Sequence, residues 1–172
     1  MGAKTGKEYK ERLQKAKNNV YANGEKVEDV TTHPAFKNVV DSMAKLYDLQ
    51  HEKADKMLYT SPTTGDKVGM TFKHPTTIDD LIARREAIQE WARSHNGMMG
   101  RAPDYLNAEV MAMGMNNDLF AEADPRFAKN ARDYYEHARE NDISLTHPLS
   151  PPQVNRAKAQ HEQKDANVSL HL

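Results

Sequence analysis

Apolar residues along this chain recur mostly at helical spacing, broken by two short stretches that turn or alternate. Phe36, Val39, Val40, Met43, Leu46, Tyr47 and Gln50 fall at i, i+3, i+4 and i+7. They predict a helix from about Ala35 to Met57, entered through Thr31-Thr32-His33-Pro34. Upstream, Thr5-Gly6-Lys7-Glu8 has the form of a capping box, in which the hydroxyl and the glutamate satisfy each other's backbone N–H; it opens a helix to about Lys17. Asn23-Gly24, between Val20-Tyr21-Ala22 and Glu25-Lys26-Val27, signals a hairpin because it supplies the two positive φ angles of a type I′ turn. Leu58 to Gly65 reads as a turn-rich loop, and Lys67 to Phe72 as a short strand. Thr77-Ile78-Asp79-Asp80 caps a third helix, to about Ser94 and stopped near Gly97. Pro103 suits the first position of a fourth, from Asp104 to about Asn117. Asp124-Pro125 opens a fifth that ends near Asn141.

The pattern then changes. Pro148, Pro151 and Pro152 forbid a continued helix, and Ile143–His147 and Asn167–Leu172 read as short β-like segments. The expected fold is mainly α: a helical domain over residues 1–142 with one minor hairpin, then the threshold of a β-rich domain over 143–172. The last six residues read as a strand that has only begun, so the expectation is the front part of a larger enzyme, or one piece of a split one.

Composition narrows the function classes. With 38% hydrophobic and 28% charged residues in 172, the chain is polar for a self-sufficient globule. Faces that pack on other segments or subunits are compatible with that balance. A net charge of −1 gives no electrostatic case for nucleic acid or an anionic membrane. The basic run from Lys4 to Lys17 is interleaved with Glu8 and Glu11, as on a solvated helix face. Zero cysteines exclude disulfides, thiolate catalysis and thiolate-bound zinc or iron–sulfur within the chain. There is no apolar signal-peptide core and no run near 18 apolar residues, so the default compartment is the cytoplasm.

Candidate chemistry gathers in two motifs about forty residues apart. In Met98-Met99-Gly100-Arg101-Ala102-Pro103-Asp104-Tyr105, Arg101 stands before a helix start, where a guanidinium can hold a carboxylate or phenolate in two-pronged fashion. Tyr105 follows in the first helical turn. In Leu145-Thr146-His147-Pro148, His147 can hydrogen-bond a substrate hydroxyl and take its proton near neutral pH. Downstream, Pro151-Pro152-Gln153-Val154-Asn155-Arg156 is extended and rich in groups that read a ring edge or a phosphate. On spacing alone the commoner case is an Arg101 paired with Asp104 at the surface, a half-buried helix Tyr105 and a His147 that serves a turn, while the 151–156 segment is as readily a linker. The methionines around the fourth helix read as core filler. No histidine pair has metal-ligand spacing, and no glycine-rich phosphate loop occurs.

Taken in order along the chain, these stretches resemble the N-terminal part of the 4-hydroxyphenylacetate 3-hydroxylase family. The matching segments are Thr5-Gly6-Lys7-Glu8-Tyr9, Asp29-Val30-Thr31-Thr32-His33-Pro34-Ala35-Phe36, Leu46-Tyr47-Asp48 and Tyr59-Thr60-Ser61-Pro62-Thr63-Thr64-Gly65. They continue with Met99-Gly100-Arg101-Ala102-Pro103-Asp104-Tyr105, Leu145-Thr146-His147 and Pro152-Gln153-Val154-Asn155-Arg156. The resemblance implies an acyl-CoA-dehydrogenase-like architecture, with a helical N-terminal domain followed by a β-barrel and a C-terminal helical bundle. It implies an oxygenase that receives reduced FAD from a separate flavin reductase and uses O2 to hydroxylate a phenol ortho to its hydroxyl. By the same resemblance Arg101, Tyr105 and His147 hold the phenolic oxygen, and Gln153, Asn155 and Arg156 lie where the flavin side begins.

Departures from that pattern set two further expectations. Family members are nearly three times longer, carry most of the flavin site downstream, and assemble as tetramers through the C-terminal bundle. The expected partners are therefore a phenol, O2, a reductase and a second chain carrying the C-terminal part, with homo-oligomers at full length. The dehydratase branch of the family needs cysteines for its cluster, and this chain has none. The competing expectation is a non-catalytic helical interaction protein that kept the fold and lost the chemistry. Convergence of Arg101, Tyr105 and His147 on one point separates the two.

Overall fold

A computed structural model of the chain describes residues 1–100, 102–147, 155, 157–159 and 162. It is mainly helical, as expected. The first helix, α1 (Gly6–Ala16), is closed at its start by the capping box: Glu8 N–H donates to Thr5 Oγ1 at 3.2 Å and Thr5 N–H to Glu8 Oε2 at 2.8 Å. Lys17 ends it in the left-handed region, φ 47°. The hairpin β1 (Val20–Ala22) and β2 (Glu25–Val27) turns at Asn23 and Gly24, whose φ angles are 53° and 85°.

The long second helix is split. The chain turns through Asp29, whose carboxylate accepts Thr31 N–H at 2.8 Å, and α2 (Lys37–Glu52) begins two residues later than the pattern suggests. Lys53 interrupts it and a single turn, α3 (Ala54–Met57), follows. Of the positions assigned to its buried face, Val40, Leu46, Tyr47 and Gln50 are buried, but Val39 is exposed. The stretch read as a loop from Leu58 contains β3 (Leu58–Thr60), paired antiparallel with β4 (Lys67–Gly69). The strand expected through Phe72 is that short β4 followed by a 3₁₀ turn over Met70–Phe72.

Helices α4 (Ile78–Ser94), α5 (Pro103–Met115) and α7 (Pro125–Asn141) match the expected third, fourth and fifth; a single turn, α6 (Asp118–Ala121), was not foreseen. Ile143–His147, read as β-like, forms no strand: among the described residues it belongs to neither two-stranded sheet. The last β-like stretch, Asn167–Leu172, lies outside the described residues.

Three apolar clusters hold these elements. Leu46, Met57, Met70, Ala87 and Trp91 join α2, α3 and α4, and Trp91 donates its indole N–H to the Leu46 carbonyl at 3.1 Å. Tyr9, Val40, Ala44 and Tyr47 join α1 to α2, with the two tyrosine rings stacked 4.8 Å apart. A Cβ on Gly6 would lie 2.5 Å from the Ala44 carbonyl oxygen, so only glycine permits this approach. Phe72, Met111, Tyr135 and Ala138 join α5 and α7 to the 3₁₀ turn. Here Tyr135 O–H donates to the Phe72 carbonyl at 2.7 Å, and buried Asn107 donates to Thr71 Oγ1 at 2.9 Å.

The N-terminal arm ties the ends of the fold together. Gly2 N–H donates to Glu140 O at 2.7 Å, Ala3 N–H to Lys67 O at 2.7 Å, and Lys4 N–H to Asp142 Oδ2 at 2.9 Å. Arg12 donates to the carbonyls of Asn141 and Asp142, at 3.1 and 3.2 Å, where the last turn of α7 has no intrahelical donors left.

Candidate functional site

Local sequence sets where the site residues stand. After α4, His95, Asn96 and Gly97 turn the chain, the last two at positive φ (53° and 69°). The turn is closed by Met98 N–H to His95 O at 3.0 Å and Met99 N–H to His95 Nδ1 at 3.2 Å. Met99 packs on the Leu46–Trp91 cluster, which fixes the near end of the loop to the core. Ala102 then enters α5 in extended conformation, with Pro103 at the first helical position. Tyr105 is in the first turn, its N–H bonded to Ala102 O at 3.2 Å, and its side chain is 48% exposed.

His147 arrives from the other direction. Asp142 ends α7 in the left-handed region, φ 48°, and Ile143 N–H reaches back to Ala138 O at 3.0 Å. Ile143 and Leu145 pack on the Phe72–Met111–Tyr135–Ala138 cluster, while Ser144 and Thr146 between them are exposed. That alternation carries the extended segment across to α5. There Tyr105 Oη lies 3.3 Å from His147 Nδ1, and the two rings sit 6.4 Å apart with 23° between their planes.

Two of the expected phenol-side residues, separated by 42 positions in sequence, are therefore hydrogen-bonded to each other. Arg101, Gln153 and Arg156 lie outside the described residues. Asn155 is exposed, and its Oδ1 accepts Ala157 N–H at 3.0 Å. An amide on such a turn suits the edge of a flavin ring or its phosphates.

Asp104 precedes Tyr105 in the first turn of α5. Burial pushes its carboxyl above the ordinary carboxylate range, partly offset by a backbone N–H and by His95. Spacing alone did not single out His95 as more than a helix-end cation, yet its ring holds the turn that precedes the site. The signal was present in the four-residue gap from His95 to Met99 across Asn96-Gly97.

A phenol and an imidazole in contact at a surface can accept and pass on a proton. With the tautomer in which Nδ1 accepts from Tyr105 O–H, the proton sits on Nε2 and the tyrosine oxygen keeps lone pairs for an incoming hydroxyl.

Comparison with known proteins gives this geometry a context. The family model described as "4-hydroxyphenylacetate 3-hydroxylase N terminal" matches residues 5–172. The 4-hydroxyphenylacetate 3-monooxygenase oxygenase component of Geobacillus sp. (strain PA-9) is 74% identical over 172 residues, covering 100% of this chain and 35% of that protein. The protein of the same name from Thermus thermophilus is 47% identical over 168 residues, covering 98% and 34%. A crystal structure of such an oxygenase component, complexed with FAD and 4-hydroxyphenylacetate, superimposes with a TM-score of 0.84 at 47% identity. The match covers 95% of this chain and 33% of that one. The chain thus spans about a third of the length of the relatives it matches.

Proposed function

Because the chain belongs to the 4-hydroxyphenylacetate 3-hydroxylase family, we propose that it forms the substrate-side part of a phenol ortho-monooxygenase that uses reduced FAD. The observation that carries this reading is the 3.3 Å contact between Tyr105 Oη and His147 Nδ1.

In this reading the phenol's hydroxyl meets Tyr105, His147 and the Arg101 guanidinium. Tyr105 Oη takes the substrate proton as its own passes to His147 Nδ1, and the Arg101 guanidinium holds the phenolate charge that remains. A phenolate pushes more electron density into the ring than a phenol, above all at the ortho carbon. A fixed cation and preset hydrogen bonds stabilise that charge without reorganising at the moment of reaction. Reduced FAD, supplied by a separate reductase, provides the electrons that activate O2. The exposed amide of Asn155 fits the flavin side, and Gln153 and Arg156 are assigned with it. Residues 1–142 constitute the helical domain and 143–172 the entry to a β-barrel, with the remaining flavin contacts on a further segment or chain and oligomers formed through it. No helix among the described residues is long and apolar enough to cross a membrane, and we place the protein in the cytoplasm.

The test is an anaerobic titration of reduced FAD into this chain. It is run alone and mixed with a chain supplying the other two thirds of the related oxygenases, followed by air and a phenol. Flavin fluorescence reports binding and chromatography reports the catechol. Catechol formed only in the mixture supports the reading; neither binding nor product in either sample overturns it.

A further inference from the structure

His95 is the one residue among those described with a buried side-chain nitrogen, Nε2, that has no hydrogen-bond partner. Its other nitrogen is engaged: Nδ1 accepts Met99 N–H at 3.2 Å. Accepting at Nδ1 requires a lone pair there, so the neutral ring carries its proton on Nε2. An unpartnered buried N–H costs about 1–3 kcal/mol, and a fold keeps such a group only where its other contacts compensate.

What the ring does is hold a hinge. It is the C-cap of α4, and its own carbonyl accepts Met98 N–H at 3.0 Å, so backbone and side chain together seize both residues after Gly97. Without the ring, a segment entered through two residues at positive φ, with Met98 85% exposed, keeps the Met98 backbone bond and the packing of Met99 on the Leu46–Trp91 cluster to define its path. Gly100 adds none, since no atom lies within 4 Å of where its Cβ would be. Beyond Gly100 come the arginine and, from the first turn of α5, Tyr105.

We propose that His95 is a positioning residue, holding the Met98–Met99 turn through Nδ1 so that the chain enters α5 where Tyr105 is presented to a phenolic substrate. The assignment rests on the oxygenase reading of Tyr105. It makes the Nδ1 lone pair, not the positive charge, the part of His95 that matters. The charged groups that share this surroundings are Asp104 on α5 and, lining the same groove, Lys45, Asp48 and Glu52 on α2.

Two substitutions separate this role from plain packing. His95→Phe keeps a ring and removes the acceptor; His95→Asn removes the ring and keeps an acceptor, its Oδ1, near the place of Nδ1. Amide hydrogen exchange at Met99 is measured by NMR on the whole chain. The KM for 4-hydroxyphenylacetate is measured in the mixture with the complementary chain. We expect faster Met99 exchange and a KM raised roughly fivefold in His95→Phe, the value of one net hydrogen bond, with both restored toward wild type in His95→Asn. In the wild-type chain the ¹⁵N shifts of His95 should report the Nε2–H tautomer. Unchanged Met99 exchange in His95→Phe overturns the assignment, as does His95→Asn behaving like His95→Phe. Faster exchange with an unmoved KM also overturns it, because the turn would then be held without serving the phenol. A wild-type mixture that makes no catechol sinks the oxygenase reading instead, and the Met99 exchange alone then decides whether His95 holds the turn.

Discussion

Ser61 donates its hydroxyl proton to Glu140 Oε1 across 2.5 Å, joining the β3–β4 loop to the last turn of α7. Thr64 Oγ1 binds the other carboxylate oxygen at 2.6 Å, and Arg139 Nε lies 2.7 Å from Oε1. Arg139 in turn donates to Thr63 Oγ1 at 2.7 Å and Tyr135 Oη at 3.2 Å. The Ser61-Pro62-Thr63-Thr64 run thus supplies three hydroxyls to a buried ion pair. Burial pushes the Glu140 carboxyl up, but Ser61, Thr64 and Arg139 outweigh it and hold it below its ordinary value. Glu140→Gln leaves a buried guanidinium without its counter-charge and should cost about 3 kcal/mol in urea unfolding at pH 7. A carboxyl depressed in the folded state stabilises above its unfolded pKa and loses that contribution as pH falls through the folded value. The gap between wild type and Glu140→Gln should therefore narrow in acid. A gap that stays constant down to pH 3 would refute the assignment.

Gly114 marks the closest approach of α5 and α7. A Cβ there would stand 2.4 Å from Tyr135 Cβ and 2.9 Å from its Cγ, atoms too near the backbone to swing away. Gly114→Ala gains about 1 kcal/mol of helix propensity but must force the two helices apart, at a typical overpacking cost of about 1–3 kcal/mol. Because the contact lies at the backbone, we expect the cost near the top of that range and a net loss of about 2 kcal/mol. Gly100→Ala, with open space at its Cβ, should leave the melting temperature unchanged. Equal melting temperatures for the two variants would contradict this packing account.

Which parts of this arrangement were legible in the sequence follows from how local each cause is. The boundaries of α1, α4 and α7 could be read because Thr5, Thr77 and Asp124 cap their own helices within a few residues. The α2–α3 break at Lys53 could not. Lys53 and Lys56 both reach Glu90 on α4, as does Arg93, and this grip on a buried carboxylate fixes the short turn from outside. Strand β3 was hidden because its partner β4 is only three residues long and lies beyond a turn. Val39 obeys the helical period yet stays exposed, since the period names a stripe and not which neighbour covers it. At the site, the residue types of Tyr105 and His147 were visible in their motifs. Their convergence followed only from the family resemblance and not from spacing, because it depends on Ile143 and Leu145 finding the Phe72 cluster, a long-range packing event with no local signature.

Asp142 offers a case where removing a charge should help. It sits at φ 48° and is 5% exposed, and its Oδ2 accepts both Lys4 N–H at 2.9 Å and Gln50 Nε2–H at 3.1 Å. Burial pushes its carboxyl above the ordinary range, against the pull of Lys4 N–H, Gln50, Arg12 and His51. Asparagine tolerates the left-handed region, and one amide oxygen can accept both bonds. Asp142→Asn should be neutral or stabilising by about 1 kcal/mol at pH 7, a gain set by the relieved burial of charge. A carboxyl raised in the folded state favours folding below its unfolded pKa and loses that as pH rises through the folded value. The advantage of Asp142→Asn should therefore vanish in acid. Asp142→Ala loses both bonds, strands the Gln50 amide, and forces alanine into a left-handed conformation; together these should cost about 2–4 kcal/mol. Destabilisation of Asp142→Asn at pH 7 to the level of Asp142→Ala would show that the charge itself holds the arm.

Tyr105 separates function from stability more cleanly than any other residue described. Its ring is 48% exposed and its hydroxyl bonds His147, not the core. Tyr105→Phe should change unfolding free energy by no more than about 0.5 kcal/mol, as surface substitutions do. On the proposed reading it nevertheless removes the oxygen that links substrate to imidazole. In the reconstituted mixture the phenol's hydroxyl would lose one partner and His147 its bonded neighbour. Loss of one hydrogen bond to a charged or charge-developing group is worth about 1.5–3 kcal/mol, or roughly 10- to 150-fold in kcat/KM. His147→Gln should fall in the same range. The double variant should be little worse than either single one, because the two side chains act as one proton-handling unit. Strict additivity of the two losses would mean that Tyr105 and His147 serve the reaction independently, and that their contact is only structural.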